Sequence, residues 1–135
     1  MENNNMTDRE TLELAAIGAG YNFSWSEKYD CAEIWIDGDK KKTFWQPHID
    51  DGDAMRLRGK IGAWITDEGD AVRVEIHRYP QSSVVIEVYE RDLSGGFASN
   101  QSVCRATRRA IVRAAAEIGN SIIATDRIER AHNSN

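Results

Sequence analysis

The chain has 135 residues, 41% hydrophobic and 29% charged, with a formal net charge of −5. That length suits one globular domain with a proper core, and the acidic balance argues against a general nucleic-acid binder, which needs a basic surface. No apolar run reaches the length of a membrane span, and the start MENNNMTDRE lacks the basic and apolar regions of a secretory signal, so a cytoplasmic location is expected.

Residues 1–6 are Asn-rich and expected to fray. Thr7 followed by Glu10 is a capping box, and Leu12, Ala15, Ala16 and Ala19 form an inward stripe, with Gly18 and Gly20 ending the helix. Tyr21 to Trp25 and Ala32 to Ile36 read as strands, and Asp37-Gly38 is a hairpin signal leading to a third strand through Thr43–Trp45. The two cysteines, Cys31 and Cys104, lack motif spacing and read as reduced, buried thiols.

The run FWQPHIDDGDAMRLRGKIG, Phe44 to Gly62, is the centre of the chain. Pro47 stops the preceding strand, Asp50 and Asp51 fall where a helix needs its N-cap, and Ala54, Leu57 and Ile61 give that helix a buried stripe to about Ala63. Trp64 and Ile65 lead into a turn at Asp67–Asp70. Val72, Val74 and Ile76 alternate with Arg73, Glu75 and His77 as a half-buried strand, Tyr79–Ser82 is turn chemistry, and Val84 to Tyr89 is its antiparallel partner.

A Gly- and Ser-rich connection, DLSGGFASN, carries Phe97 as its only aromatic, and a loop of that kind often closes on a ligand. Gln101 to Ile118 is the strongest helical pattern, with Gly119-Asn120 capping or kinking it and a tail over 121–135. The domain is thus expected over residues 7–120. Helix, strands, helix, strands, helix is most economically an α+β fold, an antiparallel sheet sandwiched between helices.

Three candidate chemistries arise. His48, Asp50, Asp51 and Asp53 are hard and borderline metal ligands, but no second His or Cys cluster supports them and helix capping explains the aspartates. Neither cysteine lies near a histidine, and neither a nucleophile elbow nor a phosphate loop is present, so an enzyme is not expected, nor a cofactor. Arg105, Arg109 and Arg113 stand at i, i+4 and i+8 on one face of the last helix, with Arg108 beside them. Two readings stand: solvated arginines, or a receptor for phosphates held in bidentate fashion. A like-charged series is slightly unfavourable alone, so neutralising Arg109 and Arg113 is predicted to leave the fold intact or marginally firmer.

The run WQPHIDDGDAMRLRGKIG, taken with the late ATRRAIVRAAAEIGN and the initial TLELAA, resembles the phage α-β-α sandwich domain family over most of residues 7–120. That family is similar to the first-described anti-Thoeris phage proteins. The resemblance implies a sponge in the host cytoplasm that sequesters the cyclic ADP-ribose isomer made by a bacterial TIR-domain protein, or cyclic oligonucleotide signals, without cleaving them. A ligand of that kind needs cations for phosphate, an aromatic for adenine and polar groups for ribose hydroxyls. Arg56, Arg105, Arg109 and Arg113 are candidates for the first, Trp45 or Phe97 for the second, Asp51 or Asn100 for the third. A homo-oligomer, dimer or larger, would let one helix supply arginines to a shared site. The rival expectation is a phage accessory protein that binds a host protein, with the arginines solvated.

Overall fold

The structure, a computed structural model, describes residues 6–36, 38, 40–78, 83–91 and 100–133. It is an α+β fold built from three helices and two antiparallel three-stranded sheets. Helix α1 (Asp8–Ala19) is followed by β1 (Phe23–Ser26), β2 (Cys31–Ile36) and β3 (Lys41–Phe44), paired in the order β1-β2-β3. Helix α2 (Asp51–Ile61) leads to β4 (Trp64–Asp67), β5 (Ala71–Arg78) and β6 (Ser83–Arg91), paired β4-β5-β6, and α3 (Asn100–Asn133) closes the chain.

The single expected sheet is therefore two. Pairing from β2 continues one residue past β3, where Trp45 N–H donates to the Ala32 carbonyl, and there Pro47 ends it because it has no N–H to offer a ladder. The chain turns through residues 47–49 into α2 and emerges as a new hairpin. Its first strand, β4, is the element missing from the sequence reading, which placed only a lead-in to a turn at Trp64 and Ile65. Four residues are too few for alternation to show, and it is fixed by partners: Trp64 lies opposite Glu75, and Asp67 opposite Val72.

Helix ends follow local chemistry. Thr7 and Glu10 form the reciprocal capping box, and Gly20 closes α1 in the left-handed conformation, φ 78°. Gly18, expected to help end that helix, instead lies inside it and against α3. For α2 the N-cap is Asp50, whose carboxylate accepts from Asp53 N–H at 2.8 Å. Asp51 is the first helical residue and leaves the cap to its neighbour. Asp50→Ala is expected to cost about 1 kcal/mol in chemical denaturation. An unchanged denaturation midpoint would assign the cap's work elsewhere.

Helix α3 runs 34 residues, about 51 Å at 1.5 Å per residue, and continues through Gly119 and Asn120, where the sequence suggested a cap or kink. It packs against α1, α2, β5 and β6. Small residues let α1 and α3 approach closely. A Cβ on Gly119 would stand 2.0 Å from the Leu14 carbonyl oxygen, and one on Gly18 would stand 2.1 Å from that of Ala115. The glycine thus serves as a contact, not a terminator. The core joins Leu12, Ala15 and Ala16 of α1 to Ile34, Leu57, Val72 and Val74, and to Ala106, Ala110, Ile111 and Ala114 of α3.

Candidate functional site: an arginine pocket between two helix starts

The first turns of α2 and α3 converge on a cleft of about 410 Å³ lined by Asp51, Gln101, Cys104, Arg105 and Arg108. The cleft lies beside the start of each helix, so the helix dipoles add positive potential to the two guanidiniums, offset by the Asp51 carboxylate in the lining. Arg108 is the structural member of the pair. Its Nε–H donates to the His48 carbonyl at 3.2 Å and its Nη1 to the Asp51 carboxylate at 2.6 Å, which ties α3 to the entrance of α2. Arg105 is exposed and makes no ion pair among the described residues. It is the cation of this cleft available to an incoming anion.

The ladder is divided. Arg109 Nε donates to one Glu90 carboxylate oxygen at 3.1 Å, and Arg113 binds the other and also the Tyr89 carbonyl, at 2.8 Å. These two arginines clamp α3 to the end of β6, and Glu90, 15% exposed, is their shared counter-ion. This corrects the expectation that neutralising them is free. Removing both leaves a mostly buried carboxylate alone, and Arg109→Ala with Arg113→Ala should cost about 1–2 kcal/mol, the lower part of the range because both guanidiniums are half in water. Adding Glu90→Ala should recover most of that loss in a thermal melt. No recovery would show that the clamp is not the cause.

The other expected ligand residues fall elsewhere. Trp45 is 3% exposed and packs edge-on to Tyr21 at 5.7 Å between centroids, so its ring belongs to the core and offers no open face for a base. An aromatic at a strand end gives no signal that separates the two fates. Arg56 pairs with Asp53 within α2 at 2.7 Å and is not among the residues lining the cleft. Phe97 and its Gly-rich connection lie outside the described residues, as does the Tyr79–Ser82 turn. Asn100 is the first residue of α3. The sequence reading missed Gln101 and Cys104 as lining, though their i, i+4 relation to Arg105 and Arg108 places them on the same helix turns. Of the two cysteines, both free, Cys31 is buried and Cys104 only partly so.

The four candidate metal ligands do not converge. Asp50 caps α2, Asp51 holds Arg108, and Asp53 accepts from Gln46 N–H at 2.9 Å and from Arg56. His48 lines a different cleft, of about 400 Å³, beside Asp8, Trp25 and Cys31, where its Nδ1 is buried with no hydrogen-bond partner. Burial pushes the His48 imidazole below its ordinary value, Asp8 opposes that shift, and Arg108 adds to it. The sign is definite. As pH falls below about 6.5, the unfolded chain takes a proton that the folded one resists, so this contribution to stability is present at neutral pH and lost toward acid. Melting temperature should fall more steeply between neutral and mildly acidic pH in the wild type than in His48→Gln. Equal slopes would remove His48 as the cause.

Compared with known proteins, the chain matches no family model, no curated protein and no solved structure. Among the described residues no helix is long and apolar enough to cross a membrane.

Proposed function

We propose that this protein binds and sequesters a small cyclic nucleotide signal, holding it intact, as the resemblance of its central run to the phage sandwich family implies. The observation that carries the proposal is the cleft between the starts of α2 and α3, where Arg105 and Arg108 are backed by two helix N-termini. A phosphate suits the guanidinium of Arg105, while Gln101 and Asp51 suit ribose hydroxyls. No catalytic group is assigned. In this reading the protein works in the host cytoplasm as a homo-oligomer, with cyclic ADP-ribose isomers of the Thoeris type as first candidates and cyclic oligonucleotides next. Incubating the protein with each candidate, removing free nucleotide and then heating should release the signal unaltered. Recovery of a cleaved product, or of nothing from every candidate, would overturn it.

A second reading, a phage accessory protein that binds a host protein, is favoured by one feature. The far end of α3 exposes Ile122 and Ile128, and an apolar groove there includes Ile17, Ile118 and Ile123. Retention of a nucleotide separates the two readings.

A further inference from the structure

The cleft between α2 and α3 carries a counter-charge of its own. Arg108, 17% exposed at its side chain, commits its Nε to the His48 carbonyl and its Nη1 to Asp51 Oδ1 at 2.6 Å. The other Asp51 oxygen has no hydrogen bond among the described residues, and that side chain is 65% exposed. The carboxylate is thus a fixed negative charge beside any anion that Arg105 draws in. The other acids at the start of α2 are engaged elsewhere: Asp50 caps the helix, and Asp53 accepts from Gln46 N–H and from Arg56. Asp8, the acid felt by His48, lines the other cleft. Gln101 adds hydrogen-bonding capacity without charge. Two guanidiniums and one carboxylate leave one net positive charge in the lining, to which the helix starts add only a fraction.

Phosphates come in two charge types. A monoester carries about −1.5 to −2 near neutral pH, because its second proton leaves near pH 6. A diester has no second proton to lose and carries a single charge. The net charge of the cleft balances a diester. The further charge of a monoester finds no second free cation in the lining and meets the Asp51 carboxylate instead. Arg108 can turn to it only by giving up the carboxylate that it already holds. We propose that Asp51 sets the charge selectivity of this cleft, admitting phosphates esterified on both sides and turning away phosphate ends. The inference rests on the nucleotide reading above and deepens it. A nucleotide ring closed through phosphate has no phosphate end, whereas the same molecule opened at that phosphate does, as does every 5′-mononucleotide. The carboxylate thereby separates an intact cyclic signal from its opened form without any contact to the base.

Adenosine 5′-monophosphate and its methyl ester make a matched pair of probes, differing by one methyl group and one charge. Each is titrated calorimetrically into the full chain at about pH 8, where the monophosphate is doubly charged. Wild type should bind the methyl ester about tenfold more tightly, the scale of repulsion between like charges in a partly exposed site. Asp51→Asn keeps the shape and an acceptor for Arg108 but removes the charge, so affinity for the monophosphate should rise and the preference should disappear. Asp51→Glu retains the charge and should retain the preference, which guards against an Asn variant that merely misfolds. Equal binding of the two probes by wild type, tighter binding of the monophosphate, or a preference that survives in Asp51→Asn would each overturn the proposal. Failure of wild type to bind either probe would overturn it too. Release of an intact signal from the heated protein is decided separately, so the sequestration reading can stand where the role of Asp51 falls.

Discussion

Gly119→Ala is expected to destabilise the protein by about 2 kcal/mol or more, against the ordinary direction of such a change. In the interior of a helix, alanine normally gains about 0.5–1 kcal/mol over glycine because it restricts the unfolded chain. Here the added methyl would meet the Leu14 carbonyl at 2.0 Å, a fixed backbone atom of α1 that cannot step aside as a flexible side chain would. Overpacking of this kind typically costs about 1–3 kcal/mol, and α1 must shift to relieve it. Gly18→Ala should behave likewise against Ala115. Gly59→Ala in α2 is the internal control, since nothing stands within 4 Å of its missing Cβ. Thermal melts should move down for the first two and up or not at all for the third. Three equal shifts would mean that the helix contact does not decide the outcome.

If the proposed function holds, Arg105→Ala should weaken nucleotide retention about ten- to a hundredfold while leaving the fold untouched. Its guanidinium has no ion pair among the described residues, so the folded state has little to lose. Against a phosphate, one lost charge-assisted hydrogen bond costs roughly 1.5–3 kcal/mol, or about ten- to a hundredfold in affinity. Arg108→Ala should differ in kind, because it also cuts the links to the His48 carbonyl and to Asp51, so binding and melting temperature should fall together. Calorimetric titration beside a melt reads both quantities. An Arg105→Ala protein that binds the captured signal as tightly as wild type would exclude this cleft as the site.

The α+β class, the three helices and five of six strands could be read from periodicity and punctuation. Apolar spacing in α3 and alternation in β5 reflect burial, and burial is what a sequence pattern records. What escaped it was decided by partners distant in sequence. The carboxylate of Glu90 turns Arg109 and Arg113 from free cations into a clamp, and neither arginine's own neighbourhood announces it. Arg105, one turn earlier on the same stripe, meets no such carboxylate among the described residues. Gly119 has the appearance of a stop signal until the Leu14 backbone is seen against it. Trp45 and Trp64 are alike in residue type, yet one is core and the other surface: the first packs on Tyr21 within the buried cluster, the second stacks on His77 at the outer side of its sheet.

The bonds from Arg109 and Arg113 to Glu90 and Tyr89 fix where β6 meets α3 independently of the residues that join them in sequence. A change in the number of residues between β6 and α3 should therefore carry little thermodynamic weight, since doubling the length between two fixed elements costs only about 0.6 kcal/mol. That connection is therefore a place where insertions and exchanges can accumulate without refolding the domain.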